Sequence, residues 1–304
     1  EDGGDFVRWL ENTTLTEATF AGKEGSTYTF YSRARDNAGN IEDTPISFQA
    51  STSIGSSVSS TGTPSDDTLE GGDSNDIIES FEGNDNLLGG AGNDTLLGGS
   101  GNDKLYGGSG DDSLNGNEGN DNIKGEEGND TLISSAGRDT LYGGKGDDTY
   151  LINNTGNYIR EYSNQGTDTV KASIDYSISS SSYVENLILT DTAKKGTGNS
   201  RSNQITGNAQ DNTLNGGSGN DTINGGTGND SLIGSNGNDI LDGGAGDDTL
   251  SGGRNNDTLD GGTGNDSLIG SSGNDTYIVD SEGDTVVENG RSEERRVGKE
   301  CRSR

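Results

Sequence analysis

The chain has 304 residues, a formal net charge of −32 and no histidine. Only 24% of its residues are apolar while 53 are glycine, so it cannot bury the thick core of an ordinary globular domain. These figures exclude Ser/His and Cys/His catalytic pairs and His-ligated zinc or iron, and a surface this acidic repels nucleic acid and anionic membranes.

The first 50 residues stand apart from the rest. TYTFYSRARD (27–36) alternates as a strand does, placing Tyr28, Phe30, Ser32 and Ala34 on one face. GSTYTFYSRARDNAGN (25–40) resembles the late strands of a fibronectin-type or bacterial immunoglobulin-like sandwich, with Tyr28 in the place of the tyrosine that ties the corner. That resemblance implies a partial β-sandwich over 1–50, followed by a polar linker over 51–61.

From Gly62 to Leu151 the sequence runs in unbroken nines. The sixth position holds Asp67, Asp76, Asp85, Asp94, Asp103, Asp112, Asp121, Asp130, Asp139 and Asp148. The eighth is apolar throughout, from Leu69 and Ile78 to Tyr150. A second array covers 198–278. Its sixth positions are Asn203, Asn212, Asp221, Asp230, Asp239, Asp248, Asp257, Asp266 and Asp275, and its eighth positions run from Ile205 to Tyr277. Tyr150 and Tyr277, each in the last unit of an array, read as wide plugs closing the coil.

Between the arrays, 152–197 lacks the nonapeptide register; DTVKASIDYSI (168–178) and YVENLILT (183–190) predict strands in it. Its carboxylates Asp168, Asp175 and Glu185 read as ordinary surface groups. Residues 279–290 open a second connector of the same kind. RSEERRVGKECRSR (291–304) turns basic, holds the only cysteine, Cys301, and resembles a translated sequencing adapter, so it is expected to be a non-native tail. No apolar run is long enough to span a bilayer. With Glu1 first and no methionine, the expectation is an internal piece of a larger protein.

One unit reads as six turn residues and three strand residues. Glycines at positions one, two and four admit positive φ, and the x-U-x triplet sends its middle side chain to one face. Two units then make one flattened coil of about eighteen residues, and coils stack at the strand spacing of about 4.8 Å. Position-six aspartates two units apart lie above one another, Asp76 over Asp94 and Asp85 over Asp103. Two carboxylates about 5 Å apart repel by about 3 kcal/mol at an effective dielectric near 20. A hard divalent cation reverses that sign. Calcium takes six to eight carboxylate and carbonyl oxygens, whereas magnesium demands a tighter octahedron and keeps its waters. Folding should be coupled to binding, because the open chain holds no site.

GGAGNDTLL (89–97), GGSGNDKLY (98–106) and GGTGNDSLI (261–269) resemble the GGxGxDxUx nonapeptide of repeats-in-toxin (hemolysin-type) proteins. The resemblance covers about 62–290. It implies an all-β fold, a calcium-loaded parallel β-roll in two arrays, and a secreted bacterial protein that folds where calcium is plentiful. It implies side-chain ligation by Asp76, Asp85, Asp94, Asp103, Asp112, Asp121, Asp130, Asp139 and Asp148, and by Asp221, Asp230, Asp239, Asp248, Asp257, Asp266 and Asp275. The carbonyls of Gly89, Gly98, Gly107, Gly216, Gly225, Gly243 and Gly261 would complete the sphere. Asn203 and Asn212 depart from the motif and are expected to bind weakly or act as a cap. Ser80 and Ser134 depart from it at position one, and Asn255 at position four. Asparagine or aspartate at position five is expected to be solvated.

The reading is a non-catalytic calcium-binding segment of a secreted or cell-surface protein, its partners calcium ions and a cell-surface or matrix target. The alternatives are the C-terminal part of a secreted protease or lipase, and a large adhesin. No pair of carboxylates is set apart from its neighbours as a glycosidase acid pair would be.

Overall fold

The computed structural model describes residues 26–31, 48–54, 59–178, 183–287 and 295–298. The described residues contain strands and no helix. Consecutive repeats alternate between two sheets. Strand Thr95–Ser100 pairs in parallel with Ser113–Glu118, two units on, setting Leu96 beside Leu114. Lys104–Ser109 pairs in the opposite sheet with Asn122–Glu127, setting Leu105 beside Ile123. Two nonapeptides therefore form one coil of a parallel β-solenoid.

One face is a 14-stranded sheet from Ser59–Thr61 to Arg295–Gly298. The other divides into a six-stranded sheet, Thr68–Gly72 to Tyr158–Ile159, and a seven-stranded sheet, Tyr176–Ser177 to Thr285–Val287. The eighth-position side chains meet between the faces. Those from Ile78 to Tyr150 and from Ile205 to Tyr277 are 0% exposed. Each contributes roughly 1.5–3 kcal/mol of burial, so this one-residue-wide core stabilises the solenoid only by being repeated in every coil.

The strands are longer than the x-U-x triplet: TLLGGS (95–100) is extended through both glycines, and the turn shrinks to positions four to six. The connector forms strands where they were expected, and these continue the solenoid. Thr169–Ala172 and Asn186–Leu189 add parallel strands to the long sheet, and Val170 lies between Tyr150 and Leu187. Tyr150 consequently sits inside a continuing coil and does not close it. At the N-terminus Ser26–Tyr31 pairs antiparallel with Phe48–Ile54; this single pair does not establish the expected sandwich, and 1–25 and 32–47 lie outside the described residues. In the C-terminal tail Arg295–Gly298 pairs in parallel with Thr276–Val279, while 291–294 and 299–304 lie outside them. Ser59–Thr61, within the expected linker, is already a solenoid strand paired with Ile77–Glu79.

Candidate metal centre

The two edges of the solenoid are built by positions four, five and six. Position four must turn the chain sharply while lying against the coil before it. Gly101 does so at φ 138°, where a Cβ would come within 1.6 Å of the Gly83 carbonyl oxygen. No side chain fits there. This turn lifts the following aspartate off the surface and into the edge.

The position-six aspartates are buried, between 1% and 3% exposed from Asp76 to Asp148 and from Asp221 to Asp275. Their two oxygens have different surroundings. Oδ1 accepts a hydrogen bond from the backbone N–H of the position-six residue 18 earlier: Asp76 N–H to Asp94 Oδ1 at 2.7 Å, Asp85 N–H to Asp103 Oδ1 at 2.8 Å and Asp94 N–H to Asp112 Oδ1 at 2.7 Å. The series continues through Asp121, Asp130, Asp139 and Asp148, and in the second array through Asp221, Asp230, Asp239, Asp248, Asp257, Asp266 and Asp275, at 2.7–3.1 Å. This fixes the expected stacking two units apart. Oδ2 of Asp85, Asp94, Asp103, Asp112, Asp121, Asp130, Asp139 and Asp148, and of Asp221, Asp230, Asp239, Asp248, Asp257 and Asp266, is buried and accepts no hydrogen bond. A bare buried carboxylate oxygen is costly unless a proton or cation meets it.

What it faces is the position-one glycine and a carbonyl from the coil above. A Cβ on Gly89 would lie 2.3 Å from Asp94 Oδ2 and 2.4 Å from the Gly107 oxygen. Gly89 has no positive φ. Glycine is needed there for space, contrary to the expectation that all three glycines serve turn geometry. The same cradle recurs at Gly107 with Asp112, at Gly225 with Asp230 and the Gly243 oxygen, and at Gly243 with Asp248 and the Gly261 oxygen.

The structure sorts the expected carbonyls. Those of Gly89, Gly107, Gly243 and Gly261 converge with an aspartate Oδ2. That of Gly98 is instead taken by the Ser80 hydroxyl, which donates to it from the place where other units have an open cradle. Those of Gly216 and Gly225 face the Oδ1 atoms of Asn203 and Asn212. Asn203 Nδ2 donates to the Val184 and Glu185 carbonyls at 3.3 and 3.1 Å, and Asn212 Nδ2 to Ala193 at 3.1 Å, so both amides are satisfied by protein alone.

Burial is the main cause that pushes these carboxyls up, with like-charged neighbours adding to it. Asp94, Asp103, Asp130, Asp221 and Asp266 rise to about 6, and Asp112, Asp121 and Asp257 to about 7. The metal-free edge resists its own charge. An all-oxygen donor set of one buried carboxylate oxygen and backbone carbonyls is the set calcium prefers.

Position five is exposed, as expected, yet ordered: Asn102 N–H donates to Asn84 Oδ1 and Asn120 N–H to Asn102 Oδ1, both at 2.9 Å. Two connector carboxylates contradict their surface reading. Asp168 is 1% exposed and accepts from Asp148 N–H at 2.9 Å, and Glu185 is half-buried and accepts from Asp168 N–H at 3.0 Å. Asp175 is exposed, as expected. Sequence reasoning also missed Glu161, which is buried, and Asn157 and Asp284, which take the position-six role for Asp139 and Asp266. Gly-Asn in GNYI (156–159) and Gly-Asp in GDTV (283–286) were the available signals.

The RTX calcium-binding nonapeptide repeat family matches 61–96, 80–114, 88–123, 115–150, 197–232, 224–259 and 251–286. The chain belongs to this family. A search among curated proteins finds no match. The RTX repeats account for both arrays and imply calcium binding in a β-roll, and the coil described above is that roll. The matched segments stop at Val286 and leave out the connector. Among the described residues no helix is long and apolar enough to cross a membrane.

Proposed function

We propose that this chain is a calcium-dependent folding module in which the position-six Oδ2 atoms and the position-one carbonyls of the next coil hold ions along both edges. One observation carries the reading: a buried Oδ2 without a hydrogen-bond donor, such as that of Asp94, shares a cradle with the Gly107 carbonyl. Calcium bound there would supply the positive charge that the stacked carboxylates lack. The chain's own residues do the remainder. The N–H ladder on Oδ1 aims each carboxylate, the position-one glycine leaves room, and the leucine core keeps successive coils in register. In the unfolded chain these groups are scattered, so binding free energy becomes folding free energy.

The module is non-catalytic in this reading and acts outside the cell, where calcium is plentiful. It would belong to a secreted enzyme or an adhesin whose target binds elsewhere. Asp112→Asn tests the ligand assignment. Calorimetry should count fewer calcium ions than in the parent chain, and an unchanged count with unchanged affinities would refute it.

A further inference from the structure

Where the first array meets the connector, the donor set changes. Counting 18 residues on from Gly143 reaches Glu161, which therefore stands in the register of a position-one glycine. Asp168, 20 residues after Asp148, stands in the register of a position-six aspartate. The junction coil thus puts a side-chain carboxylate where a repeat offers a backbone carbonyl.

The carboxylates of Asp148, Glu161 and Asp168 are all buried, and one oxygen from each lies within 4.8 Å of the others. Glu161 is 3% exposed. Its Oε1 accepts from Gly143 N–H at 3.1 Å and from the Tyr150 hydroxyl, and its Oε2 is buried with no hydrogen-bond donor. Asp148 Oδ1 accepts from Asp130 N–H at 2.8 Å, while its Oδ2 is likewise buried and bare. Both bare oxygens belong to carboxylates pinned from the other side by backbone and tyrosine donors. Three converging buried carboxylates cannot all stay charged without a cation.

We propose that Asp148, Glu161 and Asp168 form a tri-carboxylate site for one calcium ion, different in donor set from the repeat sites and closing the first array onto the connector. For the identity of the ion this rests on the reading of the repeats. Affinity rises with ligand charge and rigidity, so this ion is the tightest held on the chain, roughly tenfold or more above the repeat class. It lies beside the break between the six-stranded and seven-stranded sheets, where the coil carries its extra residues.

The test is a calcium titration of the full chain by calorimetry, with Glu161→Gln and a repeat variant, Asp239→Asn, alongside. The parent should show one tight ion ahead of a larger weaker class. E161Q should lose the tight ion and keep the weaker class, whereas D239N should keep the tight ion and lower the count of the weaker class. A tight class that survives in E161Q, or a parent with one uniform class, overturns the proposal and leaves the repeat reading standing. A parent that binds no calcium overturns both. Terbium luminescence excited through tyrosine gives a second measurement that does not depend on how E161Q folds. Tyr150→Phe should lower the emission of the first ion bound, and unchanged emission would count against the site.

Discussion

Asp94→Asn should move the metal-free and calcium-loaded states in opposite directions. Asparagine keeps an Oδ1 acceptor for the Asp76 N–H and nearly the same shape, so the substitution removes charge and one bare oxygen. Asp94 is stacked between Asp76 and Asp112. At the coil spacing of about 5 Å and an effective dielectric near 20, each neighbour repels it by about 3 kcal/mol, so the variant relieves up to about 6 kcal/mol before salt screening. Work at pH 8 keeps the pair charged, above the values of about 6 and about 7 to which burial pushes Asp94 and Asp112. Circular dichroism in chelator should then show β content at least equal to the parent's. In millimolar calcium the lost ligand should lower the thermal midpoint, by about 2–4 °C for each kcal/mol in a chain of this size. A variant less stable than the parent in both conditions, or equal to it in calcium, would refute the stacking-and-ligation argument.

Other outcomes follow from the same geometry. Ser80→Gly opens the cradle that the Ser80 hydroxyl fills, and should add one calcium ion to the total counted by equilibrium dialysis. Gly89→Ala drives a methyl to within 2.4 Å of Asp94 Oδ2 and the Gly107 oxygen without demanding a positive φ, so calcium affinity should fall at that edge while Gly89→Asp does no better. Leu114→Ala empties a fully buried core position and should cost about 2–5 kcal/mol, read by denaturant unfolding in saturating calcium. For pH, the carboxyls of Asp112, Asp121 and Asp130 stand at about 7, 7 and 6 in the metal-free fold, above an ordinary 3.8. Raised folded-state values mean that the fold binds more protons than the open chain. This stabilisation is complete below the ordinary value and lost as pH rises through 6 to 7. Acidifying the chelated protein from pH 8 to 4 should therefore increase β content, whereas calcium affinity should weaken over the same fall as protons compete for the ligands.

The stack and the core were legible because both hang on a fixed period: once Asp94 and Leu96 are assigned, the coil places Asp112 and Leu114 beside them. Less legible was what glycine does. Position one reads as turn chemistry in sequence, yet Gly89 lies in a strand and is small because two oxygens crowd its α-carbon. Ser80 was visible as a departure at position one, and only the structure shows its hydroxyl filling the cradle. Asp168 was misread because the coil reaching it has 20 residues and breaks the count, although GTDTV (166–170) carries the Gly-x-Asp-x-apolar pattern in plain view. Glu161 has no motif at all. Its place is visible only by counting 18 from Gly143 through a segment that abandons the nonapeptide, and its burial depends on Tyr150 and Gly143 donating to it.

The central claim is that stacked buried carboxylates keep the solenoid open until calcium neutralises them. Far-ultraviolet circular dichroism of the full chain at pH 8, recorded first in chelator and then on adding millimolar calcium, tests it most directly. The account predicts little β structure in chelator and its cooperative appearance with calcium; equal β content in the two conditions would contradict it.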